Sequence, residues 1–302
     1  MMTPRKKQHF NILLADDGSE HAHAAVALLG DLPLPSECLI TVFRVFASTQ
    51  AAEVTVLEDA VAQTCALLMN KGLQTKSELL LGSPAEKIVE YAEEHKPDLI
   101  VVGAKGLRAT LGILLGGVAQ QVVEYACCPV LVVRAPYDRL RRILLVSDGS
   151  PYSQQAVKYL GKFPLPGGVS LQVMHVLPPP PFPLVVTEPP YSGLAMVEPL
   201  PVPEEIAALR AREEQAGQAL LDHTVDALKK QGLSATTVLK RGDAATEIIE
   251  YARKQQIDMI VTGSRGLSQF KSWLMGSVSR KLVHYSGCSV LVVRGPQAGR
   301  DA

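Results

Sequence analysis

The sequence repeats itself, and this repeat constrains the fold more than any other feature. The run ILLADDGS at Ile12–Ser19 returns as ILLVSDGS at Ile143–Ser150, 131 residues later. A longer match relates Gly82–Arg134 to Gly242–Arg294, where 23 of 53 positions are identical. The repeated unit is about half of the chain, much longer than a solenoid repeat of ~20–50 residues. The chain is therefore predicted to contain a duplicated domain.

The two units differ most by a proline-rich insertion. The first domain is predicted at 1–136 and the second at 137–302, and the second contains ten prolines within Pro178–Pro203. Proline fixes φ and lacks an amide donor, so this segment is not expected to join a helix or a central strand. Two interpretations stay open, a tolerated surface loop or an extended docking segment for a proline-reading partner.

Composition indicates an aliphatic interior and argues against a strong nucleic-acid binder, although a local charged patch stays open. The 30 basic residues balance 30 acidic residues, which argues against nucleic-acid binding. Hydrophobic residues make up 47% and aromatic residues only 5%, as expected for buried parallel strands. The five cysteines include no CxxC pair and are expected to be reduced. No apolar run is long enough for a signal peptide or a membrane helix, so no membrane partner and a cytoplasmic location are expected.

Strands and helices are predicted to alternate in each unit. In the first unit, strands are predicted at Asn11–Ala15, Cys38–Phe46, Thr75–Leu81, Asp98–Val102 and Pro129–Val133, and helices at Glu20–Leu29, Glu53–Lys71, Pro84–His95 and Gly116–Tyr125. The second unit repeats this order, with its longest helix predicted at Glu204–Lys230. Such alternation predicts a parallel sheet covered on both faces, whose ligands bind at the carboxyl ends of the strands.

The stretch GSRGLSQFKSWLMGS, Gly263 to Ser277, predicts an anion site at that edge of the sheet. Gly263 follows the strand DMIVT, and Gly276 with Ser277 opens a predicted helix. Glycines let backbone N–H groups approach an anion, and a helix N-terminus attracts negative charge. Ser277 could bind a phosphate oxygen or act as the helix N-cap, and the two roles are compatible. A near copy, GAKGLRATLGILLGG, occupies Gly103–Gly117.

These motifs together resemble a known family. The loops match neither GxxxxGK[ST] nor a GxGxxG after the first strand, and the GxxG clamp of KH domains fits the neutral charge and parallel sheet poorly. The ordered set ILLVSDGS, GxxGx9GS and VLVVR, present twice with small changes, resembles the universal stress protein family over nearly the whole chain. The resemblance implies two tandem five-stranded parallel α/β domains, of the adenine-nucleotide α-hydrolase-like, Rossmann-like class, which form a pseudo-dimer through their VLVVR strands.

The resemblance also implies a nucleotide site, because many members bind ATP or AMP, although others bind none. In the second unit the implied contacts are Asp148 to adenosine, the Val176 backbone to adenine, Gly263, Ser264, Arg265 and Gly266 to ribose and phosphate, and Gly276, Ser277 and Val278 to the triphosphate end. The corresponding first-unit residues are Asp17, Val45, Gly103, Ala104, Lys105, Gly106, Gly116, Gly117 and Val118. Mg²⁺ could arrive with the phosphates, and enzymatic turnover is not typical of the family.

The first unit departs from the pattern, so the second is predicted to be the stronger site. Gly117 replaces the hydroxyl of Ser277, which removes one potential bond to phosphate, and Asp16 adds a carboxylate beside Asp17 that is unhelpful if it points inward. Three functions stay open: a nucleotide-dependent regulator with an unknown protein partner in the stress response, a slow ATPase or nucleotidyl transferase, and a nucleotide-free pseudo-dimeric scaffold. The choice among ATP, ADP, AMP and a cyclic dinucleotide, and a homodimer of chains, also stay open.

Overall fold

Strands and helices alternate along both halves of the chain. The computed structural model describes residues 10–47, 54–106, 115–179, 203–266 and 275–294. The first unit contains β1 (Asn11–Ala15), α1 (Glu20–Asp31), β2 (Leu39–Phe46), α2 (Val54–Met69), β3 (Gln74–Leu81), α3 (Pro84–His95), β4 (Leu99–Gly103), α4 (Gly117–Tyr125) and β5 (Val130–Val133). The second contains β6 (Arg142–Val146), α5 (Pro151–Leu160), β7 (Ser170–Leu177), α6 (Pro203–Lys229), β8 (Ala235–Arg241), α7 (Ala244–Lys254), β9 (Met259–Gly263), α8 (Ser277–Tyr285) and β10 (Ser289–Val293).

The element boundaries follow the sequence signals closely. Ser19 is the N-cap of α1, and its side chain accepts a hydrogen bond from the N–H of Ala22. Ser150 caps α5 in the same way, with the N–H of Ser153 as donor. Most ends differ from the predictions by one or two residues, and α4 begins at Gly117 because Gly116 is still extended.

All ten strands form one sheet in the order β3-β2-β1-β4-β5-β10-β9-β6-β7-β8. Each unit contributes five parallel strands, as predicted. The units meet where β5 and β10 pair antiparallel, with Leu131 opposite Leu291, and we call this pairing the seam. The two units therefore pair within one chain, through the strands of their VLVVR motifs.

The apolar core is continuous across the seam on both faces of the sheet. On one face, a single cluster includes Leu131 of the first unit and Leu291 of the second, both fully buried. On the other face, Met275 and Val283 of the second unit lie in the cluster formed by α3 and α4 of the first. Because burial of apolar surface is the main stabilising contribution, the units are expected to stabilise one another.

The arginines of the two VLVVR motifs cross the seam reciprocally. Arg134 Nη2 donates to the carbonyl oxygens of Val283 (2.8 Å) and His284 (3.1 Å) at the end of α8. Arg294 Nη2 donates to those of Val123 and Glu124 at the end of α4. The last carbonyls of a helix lack partners within the helix, so each arginine satisfies the opposite unit. Burial lowers the pKa of both guanidinium groups, which nevertheless stay protonated at neutral pH.

Some predicted features lie outside the described residues. They comprise most of the proline-rich insertion at 178–203 and the middle of each glycine loop, 107–114 and 267–274. Within the part of the chain that the structure describes, no helix is both long enough and apolar enough to cross a membrane.

Candidate functional site

An Asp-Gly turn follows the first strand of each unit, at the carboxyl edge of the sheet. Gly149 has φ +79° and Gly18 has φ +74°, in the left-handed region that favours glycine. In the second unit, Asp148 Oδ1 accepts the N–H of Ser150 at 3.0 Å. The other carboxylate oxygen faces the glycine loop, because a Cβ added to Gly266 would lie 2.6 Å from Asp148 Oδ2. Asp148 and the loop therefore form adjacent walls of one site.

The glycine loop is closed by backbone contacts at its two ends. Gly263 packs on the first turn of α5, where an added Cβ would come within 2.6 Å of the carbonyl carbon of Tyr152. The N–H of Ser264 donates to the Val293 carbonyl at 2.8 Å, and the Ser264 carbonyl accepts the N–H of Gly276 at 2.9 Å. Ser264 is thus a buried support, which holds the start of the loop against its end.

The interpretation of Ser277 as a helix cap is wrong. The N-cap of α8 is Gly276, which is extended with φ −65° and ψ 153°, and Ser277 is the first helical residue. Glycine has no side chain to accept a hydrogen bond, so within the described residues the N-cap supplies no side-chain acceptor to the first-turn N–H groups of α8. The Ser277 hydroxyl is exposed at the same place. A helix N-terminus of this kind can bind an anion.

One cavity in the second unit brings the predicted residues together. It encloses about 210 Å³, and since ligand cavities usually measure ~300–1,000 Å³, part of a nucleotide would lie outside it. Eight of the nine second-unit candidates line it: Asp148, Val176, Gly263, Arg265, Gly266, Gly276, Ser277 and Val278. The ninth candidate, Ser264, is buried and is not one of the residues that line the cavity. Their roles toward a ligand stay a prediction.

The cavity has a hydroxyl-lined wall that the sequence analysis did not anticipate. Ser279 Oγ donates to the Gly263 carbonyl at 2.7 Å, and Thr262 Oγ1 donates to it at 3.2 Å. The lining residues that sequence reasoning missed are Val146, Ser147, Ser153, His175, Ala244, Ile248, Thr262 and Ser279. Aligning the two units would have pointed to this wall. The second unit has hydroxyl residues, Ser153, Thr262 and Ser279, where the first has the apolar residues Ala22, Val102 and Ala119.

Two basic side chains of the cavity are held in place by protein groups. His175 Nδ1 lies 2.8 Å from the carbonyl oxygen of Ser147 at the end of β6. Arg265 Nη1 donates to the Tyr152 hydroxyl at 2.8 Å, and its guanidinium lies 5.1 Å from the centre of that ring. The Arg265 side chain, which lines the cavity, is therefore held in place by the Tyr152 ring and hydroxyl.

The first-unit candidates have the same backbone arrangement in a more open setting. The N–H of Gly116 donates to the Ala104 carbonyl at 2.7 Å, and Ser19 Oγ donates to that of Lys105 at 3.0 Å. These residues, Asp17, Val45, Gly103, Ala104, Lys105, Gly106, Gly116, Gly117 and Val118, also lie at the carboxyl edge. Of them, Asp17, Gly106, Gly117 and Val118 are exposed, whereas Asp148, Gly266 and Val278 in the second unit are half-buried.

Asp16 in the first unit is neutralised by a buried arginine. Its Oδ2 lies 3.0 Å from Arg44 Nη2 and accepts the Thr64 hydroxyl at 2.9 Å. The side chains of Asp16 and Arg44 are 0% and 8% exposed. The same guanidinium lies against Gly18, where an added Cβ would be 3.1 Å from Nη2. At the positions of this ion pair, the second unit has Ser147 and His175.

Comparison with known proteins agrees with this double architecture. The family model described as universal stress protein family matches residues 9–134 and again 139–294. The chain belongs to the universal stress protein family. The universal stress protein YxiE of Bacillus subtilis is 30% identical over 154 residues, which are 51% of this chain and 98% of that protein. A universal stress protein of Methanocaldococcus jannaschii is 43% identical over 166 residues, 55% of this chain and 89% of that protein.

A solved universal stress protein structure matches this chain over nearly its whole length. This structure, from Archaeoglobus fulgidus, covers 97% of this chain and 97% of its own, with a TM-score of 0.61 and 20% identity. This likeness establishes the shared fold. Among the described residues of this universal stress protein, no group of three or more His, Cys, Asp or Glu side chains could hold a metal ion.

Proposed function

We propose that the second unit of this universal stress protein binds an adenine nucleotide and that occupancy regulates its interactions in the stress response. One observation carries the proposal: the N-terminus of α8 with its glycine N-cap, the two ends of the glycine loop and Asp148 line one cavity at the switch point of the sheet. First-turn amides and an oriented cation attract phosphate, and a carboxylate can accept hydrogen bonds from ribose hydroxyls.

Each side of the cavity suits one part of the ligand. Ser277, Val278 and Arg265 would hold phosphates, through the hydroxyl, the backbone N–H groups and the guanidinium. Asp148 would accept from the ribose, and the backbone of Val176 would meet the base. Mg²⁺, if present, would enter with the phosphates and offset their charge. These assignments describe binding and orientation and involve no chemical step.

The first unit is proposed to be the weaker site. Gly117 supplies no hydroxyl, several of its candidates are exposed, and the buried Arg44 is bound to Asp16 rather than available to a ligand. The residues behind its glycine loop, Ala22, Val102 and Ala119, offer no hydroxyl. Its contribution is proposed to be largely structural, as the half of a pseudo-dimer that supports the second unit.

Calorimetric titration of nucleotide-stripped protein with Mg-ATP tests the proposal. We expect saturable heat near one site per chain, with ADP, AMP and cAMP as comparison ligands, since another universal stress protein has been solved in complex with cAMP. Gly276→Val should abolish the heat, because an added Cβ would already lie 3.2 Å from the Arg265 Cα. The matched variant Gly116→Val should leave it in place.

Other outcomes would favour the alternatives. No binding heat from folded protein would favour the nucleotide-free scaffold. Equal losses of binding heat in Gly276→Val and Gly116→Val would contradict the proposed difference between the two sites. Phosphate release from bound ATP that Gly276→Val abolishes would favour the slow ATPase. The cytoplasmic location, a homodimer of chains and the identity of a protein partner stay predictions.

A further inference from the structure

The end of the second unit's glycine loop is held by a residue of the first unit. Glu124 lies in the last turn of α4, and its Oε1 accepts the backbone N–H of Met275 at 3.3 Å. Met275 immediately precedes Gly276, the N-cap of α8. The Glu124 side chain is only 12% exposed, so water competes weakly for this contact.

Arg280 completes a cluster of three residues, Glu124, Met275 and Arg280, which we call the Glu124 cluster. Arg280 Nη2 lies 3.2 Å from Glu124 Oε1 and 3.5 Å from the Met275 carbonyl oxygen. The backbone N–H of Met275 is therefore bound by Glu124 of the first unit. Its carbonyl oxygen is bound by Arg280, which also pairs with Glu124. The Met275 side chain is buried in the same apolar cluster as Val122 of α4.

The position of Met275 sets the geometry of the proposed phosphate site. The next residue, Gly276, closes the loop through its bond to the Ser264 carbonyl and directs the first turn of α8. A shift at Met275 would move the amides that face the cavity. We propose that Glu124 is a positioning residue for the second unit's nucleotide site, which is fully formed only when the first unit is docked against it. This inference rests on the proposed function.

The support is directed from the first unit to the second. By the internal repeat, the position of Glu124 is occupied in the second unit by His284, and that of Met275 is occupied in the first unit by Leu115. A histidine there supplies no carboxylate to the loop of the first unit. This one-way support agrees with two other differences that favour the second site, the Ser277 hydroxyl and the lower exposure of its candidate residues.

Two substitutions at Glu124 separate the hydrogen bond from the charge. Glu124→Ala removes the acceptor, and we expect the Kd for Mg-ATP to rise about tenfold. Glu124→Gln keeps an acceptor oxygen, and because Arg280 is 46% exposed, loss of the ion pair should change the Kd by less than about twofold. Glu90→Ala, which removes an exposed carboxylate paired with Lys87 within the first unit, is the control and should leave the Kd unchanged.

Amide hydrogen exchange provides a readout that needs no nucleotide. Exchange of the Met275 N–H should accelerate about tenfold in Glu124→Ala and stay near wild type in Glu124→Gln. Wild-type exchange and affinity in Glu124→Ala would overturn the inference, as would a Gln variant as impaired as the Ala variant. If wild-type protein binds no nucleotide, the proposed function fails, and the exchange rates still decide whether Glu124 positions the loop.

Discussion

At the scale of single residues, the two sites differ at the first position of the helix behind the glycine loop. Ser277 and Gly117 each follow an extended glycine cap, and both are exposed. A Cβ added to Gly117 would meet nothing within 4 Å. The difference is therefore one of chemistry rather than space, so the hydroxyl can be exchanged between the units without a steric clash.

This exchange leads to a paired prediction. Ser277→Gly should raise the Kd for Mg-ATP about 2- to 13-fold, because one hydrogen bond contributes ~0.5–1.5 kcal/mol. Gly117→Ser, made in the Gly276→Val background that blocks the second site, should give weak saturable binding to the first. Both are measured by calorimetry, with circular dichroism as the control for folding. Wild-type affinity in the Gly117→Ser chain would mean that the hydroxyl alone causes the asymmetry.

At the scale of elements, the sequence predicts strands and helices well but not the wall of the site. A short, continuous aliphatic run such as Leu99–Gly103 predicts a central parallel strand that is buried on both faces. The hydroxyl wall consists of Ser153 from α5, Thr262 from β9 and Ser279 from α8. Their proximity depends on the strand order, which local sequence patterns do not specify. Of the two roles open for Ser277, the N-cap is wrong because capping propensity is local, whereas the tertiary bond from the Gly276 N–H to the Ser264 carbonyl fixes where α8 begins.

The buried Asp16–Arg44 pair connects β1, β2 and α2 and gives a second prediction. Asp16→Ser, which copies Ser147, should lower the free energy of unfolding by about 3–5 kcal/mol, because it leaves Arg44 buried without its carboxylate. Adding Arg44→His, which copies His175, should recover much of this loss, since in the second unit the His175 ring contacts the Ser147 backbone carbonyl and needs no carboxylate partner. Urea denaturation measures both. If the double variant recovers no free energy of unfolding, the packing around these positions in the first unit requires the ion pair.

At the scale of the whole molecule, the seam makes two homologous units into one body. The strands β5 and β10 pair at their centres, both faces of this pair are buried, and each unit closes a helix end of the other through Arg134 or Arg294. The proposed functional asymmetry can arise within this similar frame because side chains at the carboxyl edge differ between the units, such as Ser277 and Gly117. The frame also brings α4 against the glycine loop that the proposed function depends on.

We expect the seam arginines to contribute, together with the continuous apolar core, to the joint unfolding of the two units. Wild-type protein should unfold in urea in one transition, because the core is continuous. Arg134→Ala or Arg294→Ala alone should lower the free energy of unfolding by about 2–4 kcal/mol, since each leaves two helix-end carbonyls unsatisfied. With both substitutions, far-ultraviolet circular dichroism should resolve two transitions. Arg141→Ala, which removes an exposed arginine paired with Asp138, should change neither the midpoint nor the number of transitions. A single unshifted transition in the double variant would mean that apolar contacts alone hold the seam.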